Sequence, residues 1–75
     1  MSDIDFMKSA DLLRRLRRLA TKRGWLIEIT QGGAHTKIKL NGRVTVVPRH
    51  PGDLKPGTFR AILKQLGLTE SDLEV

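Results

Sequence analysis

The chain contains no cysteine and no tyrosine, and its aromatic residues are one tryptophan and two phenylalanines. Without cysteine, no disulfide framework or thiolate metal site can support the fold, and two histidines far apart in sequence form no recognisable ligand set. At 75 residues, only about 60% of the surface of the unfolded chain can be buried. The sequence therefore predicts one domain, over residues 1–75, whose small core must suffice alone or with a partner.

Long apolar runs are also missing. The longest uninterrupted ones contain three residues, Trp25–Ile27 and Ala61–Leu63. A membrane-spanning helix needs about 20 apolar residues, and the apolar region of a signal peptide needs about 7 to 15. We therefore expect a soluble, cytoplasmic protein with no membrane partner. No phosphate-loop, dinucleotide-binding or zinc motif is present, so no cofactor or metal is predicted.

Acidic residues are scarce in the middle of the chain. Between Leu12 and Lys64 there are thirteen lysines and arginines but only two acids, which gives this segment a net charge of +11 in a chain of net charge +6. A small basic domain with acidic ends is typical of proteins that bind a polyanion, most often nucleic acid. The alternative is a charged surface that only keeps the protein soluble, and composition leaves both open.

Leucines at helical spacing predict a first helix over Ala10–Arg23, with Ser9 as its N-cap and Gly24 just beyond its end. Its polar side carries five cations that can reach phosphates or simply form a solvated helix face: Arg14, Arg15, Arg17, Arg18 and Lys22. A purely structural face would be expected to contain acids paired with these cations. Since such acids are few, we favour an anion-binding role.

Three strands are predicted next, beginning with Trp25–Thr30, and the Asn41-Gly42 dipeptide marks a hairpin between the second and third. Side chains of a strand alternate between its two faces. In the second strand, one face carries His35, Lys37 and Lys39, and the other carries Thr36, Ile38 and Leu40. In the third, Val44 and Val46 point one way, Arg43, Thr45 and Val47 point the other, and Pro48 ends the ladder.

A second helix is predicted from Pro56, with Phe59, Ile62, Leu63 and Leu66 on one side and Gly67 at its end. Thr69 and Asp72 have the spacing of a capping box and predict a short acidic turn over residues 69–75, while residues 1–8 are predicted to be a loose extension. The fold class is therefore α+β, in the order α-β-β-β-α. Both helices should pack on one face of a three-stranded antiparallel sheet, which leaves the face with His35 open.

Seven short motifs, each present once, occur at characteristic positions along the chain. They are Met7–Leu13 (Met-Lys-Ser-Ala-Asp-Leu-Leu), Gly24-Trp25, Gly33-Ala34-His35, Val47–Pro51 (Val-Pro-Arg-His-Pro), Leu54–Thr58, Ile62–Gln65 and Gly67-Leu68. In order and spacing these motifs resemble the HicA family of bacterial toxin–antitoxin ribonucleases. The resemblance covers roughly residues 7–68, including a predicted core over residues 9–68, and implies a fold like that of double-stranded-RNA-binding domains.

The resemblance implies that His35 is the residue associated with RNA cleavage. The family usually has a serine or similar polar residue before this histidine, whereas this chain has Ala34. A ribonuclease can act without metal if a base removes the proton of the 2′-hydroxyl and cations stabilise the negative charge that develops on the oxygens of the phosphorane. Histidine suits the first task near neutral pH. The residues expected to contact RNA are Lys37, Lys39, Arg14, Arg15, Arg18, Arg49 and His50.

Two interpretations of function stay open. The first is an endoribonuclease toxin that cleaves messenger RNA and is neutralised by a HicB-like antitoxin; the second is a non-catalytic module that binds double-stranded RNA by its shape. His35 favours the first and Ala34 keeps the second open. His50 is either a second acid–base group, a phosphate contact or a structural loop residue, and Trp25 is expected to pack in the core or at a strand edge.

Overall fold

The computed structural model describes residues 7–49 and 54–74. Helix α1 spans Ser9–Arg23, and three strands follow, β1 (Ile27–Gln31), β2 (His35–Leu40) and β3 (Arg43–Pro48). Helix α2 spans Pro56–Leu66, and a 3₁₀ turn covers Glu70–Leu73. This confirms the predicted α-β-β-β-α order and the α+β class.

The strands form one antiparallel sheet in the order β1-β2-β3. Asn41 and Gly42 have φ values of 50° and 83°, the positive values that a type I′ hairpin turn requires at both central residues. This two-residue turn pairs Leu40 with Arg43 and so sets the register of the whole hairpin. The predicted turn is confirmed, and with it the alternation of side chains along β2.

The core lies between the two helices and one face of the sheet, which we call the inner face. Helix α1 contributes three leucines with no exposed surface, Leu12, Leu16 and Leu19, and each such burial stabilises the fold by about 1.5–3 kcal/mol. The sheet contributes Ile38, Leu40 and Val47, and α2 contributes all four residues predicted for its apolar side. Both helices therefore pack on the same face, as predicted.

The start of α1 differs from the prediction. The N-cap is Lys8, and Ser9 is the first residue of the helix; the Ser9 hydroxyl donates a hydrogen bond to the carbonyl of Pro48 at 2.7 Å. A serine on the N-cap would instead accept a hydrogen bond from a helix N–H. Ser9 therefore joins the start of α1 to the end of β3. Met7, also buried, accepts a hydrogen bond from the Leu54 N–H at 3.0 Å.

The acidic end of the described chain folds back onto α1. Thr69 donates to the Asp72 carboxylate from its backbone N–H at 2.8 Å and from its hydroxyl at 3.2 Å. The Thr69 side chain also accepts from the Asp72 backbone N–H, which confirms the predicted capping box. Leu73 is fully buried, and Arg23 forms an ion pair with Asp72 at 2.6 Å. The turn is thus part of the domain. No helix within residues 7–49 and 54–74 is long and apolar enough to cross a membrane.

Candidate functional site

The face of the sheet that carries no helix, here called the outer face, brings together the residues best suited to acid–base chemistry and to phosphate binding. Its members alternate with the buried residues along each strand: Glu28, Thr30, His35, Lys37, Lys39, Val44 and Val46. In the strand register, Lys37 lies between Thr30 and Val46, and Lys39 lies between Glu28 and Val44. The outer face is therefore a basic and apolar surface with a histidine at one end.

His35 is the first residue of β2, and its side chain is exposed. Its backbone is held on two sides, because its carbonyl accepts the Gly32 N–H at 2.9 Å and its register partner on β3 is Pro48. The next residue, Thr36, points into the core and is 2% exposed. Thr36 therefore does not supply to the outer face the hydroxyl that Ala34 lacks.

Lys37 and Lys39 are both exposed on β2. The ion pairs among the described residues are Asp11–Arg14 and Arg23–Asp72, so neither lysine is in one. Together with Glu28, Thr30 and Val44, the two lysines line a shallow depression of about 240 Å³. Glu28, the cross-strand neighbour of Lys39, offsets part of the positive charge at that end. The positive charge of the outer face is therefore offset beside Lys39 and not beside Lys37.

Arg49 follows β3 and lies against the turn that precedes His35. Its backbone N–H donates to the Ala34 carbonyl at 2.9 Å, and its guanidinium donates to the carbonyls of Gly32 and, at 3.4 Å, Gly33. These bonds attach three consecutive residues of the turn to the end of β3. Arg49 also lines a cleft of about 400 Å³ between the turn and the start of α1.

The arginines predicted on α1 have different surroundings from the lysines of β2. Arg14 forms an ion pair with Asp11, and half-buried Arg15 donates to the Leu73 carbonyl at 3.2 Å. Arg18 lines a groove of about 690 Å³ along α1 with Arg17. Because α1 packs on the inner face of the sheet, these arginines do not lie on the outer face. The groove shares Ala10 and Leu13 with the cleft beside Arg49, so the two surfaces are continuous.

The structure thus brings His35, Lys37 and Lys39 onto one surface and places Arg49 against the turn that precedes His35, while His50 lies outside the described residues. Sequence reasoning missed that the outer face also carries Glu28 and the two valines, which are 45% and 48% exposed. The register set by the Asn41-Gly42 turn would have revealed the valines, because it places them opposite the lysines. Within residues 7–49 and 54–74, no group of three acidic or histidine side chains could hold a metal ion.

Comparisons with known proteins point in the same direction as the geometry. Residues 13–68 match the model of a family described as the HicA toxin of bacterial toxin–antitoxin systems. The chain is 44% identical to a probable mRNA interferase toxin HicA of Escherichia coli K12, over 63% of this chain and 90% of that protein. It is 41% identical to a probable mRNA interferase HicA of Pseudomonas fluorescens, over 64% and 90%, respectively.

Proposed function

Because this chain belongs to the HicA toxin family of bacterial toxin–antitoxin systems, we propose that it is a metal-independent endoribonuclease that cleaves messenger RNA. The observation that carries the proposal is an exposed histidine, His35, in line on the outer face with two lysines that form no ion pair within residues 7–49 and 54–74. His35 is the general base, and Lys37 and Lys39 bind the phosphates. The names of the related proteins as mRNA interferases support the choice of substrate.

In the reaction, the imidazole of His35 removes the proton of a 2′-hydroxyl, and the resulting oxygen attacks the adjacent phosphorus. The bond from phosphorus to the 5′ oxygen of the next nucleotide breaks, and that oxygen takes a proton from solvent. The products are a 2′,3′-cyclic phosphate and a 5′-hydroxyl. One acid–base group contributes about 10²–10⁴-fold to the rate, so a slow enzyme is expected.

The spacing of the three side chains suits an extended RNA strand. Alternate residues of a β-strand lie about 6.8 Å apart, so His35, Lys37 and Lys39 span about 14 Å along β2. Lysine ammonium groups at this spacing bind successive phosphates and stabilise the negative charge that develops on the attacked one. The contacts involve the RNA backbone and not the bases, so we expect little sequence preference from them.

An exposed basic nuclease surface that acts on messenger RNA would damage the cell that makes it, so the proposal includes an inhibitor. We place the protein in the cytoplasm, where its substrate is, and assign it a HicB-like antitoxin as partner. Membership of a toxin–antitoxin family supports this partner.

Replacement of His35 by glutamine and by alanine tests the proposed base. Glutamine keeps a polar side chain but cannot move a proton near pH 7, and both variants should lose cleavage by about 10²-fold or more. Because His35 is exposed, the melting temperature should barely change. The assay uses single-stranded and duplex RNA with excess EDTA, and it includes a substrate with 2′-deoxyribose, which should resist cleavage. Expression of the variants should no longer arrest growth.

Arg60→Ala is the matched control, since this exposed residue lies on α2, away from the outer face. Cleavage by His35→Gln at the parental rate, in two independently purified preparations, would refute the assignment of the base. Tight binding of duplex RNA by the parental protein without any cleavage would instead support the RNA-binding module.

A further inference from the structure

The turn that precedes His35 contains little that could hold its shape by itself. It consists of Gly32, Gly33 and Ala34, all exposed, and two adjacent glycines give the backbone wide conformational freedom. The hydrogen bond from the Gly32 N–H to the His35 carbonyl closes the turn. The carbonyls of Gly32, Gly33 and Ala34 point outward from it, and all three accept hydrogen bonds from Arg49.

We infer that Arg49 is a positioning residue, which holds the glycine turn through three backbone carbonyls and thereby fixes the place of His35 on the outer face. The inference rests on the proposed function in so far as His35 is the base. It assigns the guanidinium of Arg49 to the turn, in place of the phosphate contact expected from sequence.

Arginine is suited to this task because its planar guanidinium presents five N–H donors in a fixed fork. One nitrogen, Nη1, reaches both glycine carbonyls, and the backbone N–H of the same residue takes the third carbonyl. A lysine at this position would keep the positive charge, but its ammonium lies at the end of a flexible stem and lacks the planar group that holds Nη1 in place. Charge and geometry at residue 49 can therefore be separated by substitution.

The hydrogen bonds that Arg49 forms with the turn, here called the clamp, start from a backbone segment that is itself held in place. The residue before Arg49 is Pro48, whose carbonyl accepts the Ser9 hydroxyl bond from α1, and which is the register partner of His35. The end of β3 is therefore tied to α1 on one side and to β2 on the other. Arg49 extends this fixed point to the turn, so a movement of the turn relative to the sheet must break bonds to residue 49.

Positioning matters because a displacement of about 1 Å at a catalytic group can cost on the order of 10²-fold in rate. Loss of the clamp should leave the lysines and their phosphate contacts in place, since Lys37 and Lys39 lie in the middle of β2 with partners on both sides. The clamp therefore acts on the rate of cleavage of bound RNA and not on RNA affinity. A phosphate contact would do the opposite.

The test compares Arg49→Lys and Arg49→Gln in the full chain, with Arg60→Ala as the control for loss of one exposed positive charge. Amide hydrogen exchange of Gly32, measured by NMR, reports the closure of the turn, and the ring signals of His35 report its surroundings. Exchange at Ile38, in the centre of the sheet, shows that the fold is kept. Single-turnover cleavage at saturating RNA and the Kd for the same RNA separate rate from binding.

We expect Gly32 to exchange at least tenfold faster in both Arg49 variants, with His35 signals shifted and Ile38 unchanged. Cleavage of bound RNA should fall about 10- to 100-fold while the Kd stays within twofold, and lysine should rescue little. Unchanged exchange at Gly32, or parental cleavage by Arg49→Lys together with weaker RNA binding by Arg49→Gln, overturns the inference.

The two proposals fail in different ways. If the parental protein does not cut RNA, the proposed function fails, while faster exchange at Gly32 and a shifted His35 signal still support the clamp. If the parental protein cuts RNA and the Arg49 variants cut it at the same rate, the function stands and the clamp does not position the base.

Discussion

The polar side of α1 and the outer face of the sheet are both rich in cations, but their cations are engaged differently. On α1, Arg14 is paired with Asp11, and Arg15 donates to a carbonyl of the 3₁₀ turn. Arg23, at the end of the helix, binds Asp72 and lies 5.0 Å from the centre of the Trp25 ring. On β2, Lys37 and Lys39 take part in neither of the ion pairs found in the described part of the chain.

The difference shows that the segment packed against a cation decides its use. A cation in contact with another part of the chain stabilises the fold, and a cation without such a contact can bind a partner. The acidic segment after α2 returns to α1 and occupies Arg15 and Arg23. No acidic segment among the described residues covers the outer face, where the one carboxylate is Glu28. Part of the basic charge of α1 therefore stabilises the domain, and the charge of β2 remains available to a polyanion.

The largest effect on RNA affinity is expected when Lys37 and Lys39 are both replaced by alanine. Each phosphate contact on single-stranded RNA contributes about −0.7 to the slope of log K against log salt, so the slope should become less negative by about 1.4. RNA affinity should fall by roughly 50- to 100-fold at 50 mM salt and by only a few-fold at 0.5 M. The loss should be similar for all RNA sequences. Fluorescence anisotropy titrations at several salt concentrations measure it.

The matched comparison is Arg17→Ala combined with Arg18→Ala on α1, which removes the same charge from a different surface. We expect a smaller loss of affinity there, because the outer face holds the reacting phosphate. If the slope of log K against log salt is the same for both double variants, the two surfaces contribute equally to RNA binding. The RNA-binding site would then include the groove of α1.

Arg15→Ala should lower stability more than any other single arginine substitution on the polar side of α1. The half-buried guanidinium donates to the Leu73 carbonyl, and its loss should cost about 1–2 kcal/mol, with RNA affinity little changed. Arg14→Ala is the control, because its ion pair is exposed and such pairs contribute about 0–1 kcal/mol. Urea unfolding measures both. An Arg15 variant of parental stability with weakened RNA binding would instead support the predicted contact between Arg15 and RNA.

The sequence was sufficient for the fold because each element has local signals that agree with its surroundings. Apolar spacing located both helices, Asn41-Gly42 fixed the hairpin, and alternation along β2 placed His35, Lys37 and Lys39 on the outer face. The hairpin register would also have identified the valines beside the lysines, but this step was missed. These are short-range features, and the alternation of side chains in a strand directly determines which of them share a face of the sheet.

The contacts of Ser9, Arg15 and Arg49 could not be derived in the same way. Ser9 is a good N-cap by local preference, but its partner is Pro48, 39 residues away. Arg15 reaches Leu73 over 58 residues, and Arg49 reaches Gly32 over 17. Polar side chains with several donors have many possible partners, and the tertiary fold selects among them. Sequence reasoning therefore predicted none of these three contacts.

The smallest predicted effect concerns Asp72, the acid that fixes the 3₁₀ turn to α1. The Thr69 backbone N–H and then the Arg23 guanidinium lower the pKa of Asp72 below its ordinary value of 3.8. Since the unfolded chain binds this proton more readily, the carboxylate stabilises the fold above pH 3.8, and that contribution is lost as the pH falls through the lower pKa of the folded state. Asp72→Asn should therefore cost up to about 1 kcal/mol at pH 7, with the difference from the parental protein vanishing at lower pH.

Urea unfolding at constant ionic strength between about pH 2.5 and pH 7 tests this prediction. Glu70→Gln is the control, because Glu70 belongs to the same turn but to neither of the ion pairs in the described part of the chain. The Glu70 variant should follow the parental curve closely. If Asp72→Asn instead lowers stability by the same amount at every pH, its effect comes from side-chain packing, and the charge that holds the acidic turn against α1 contributes nothing.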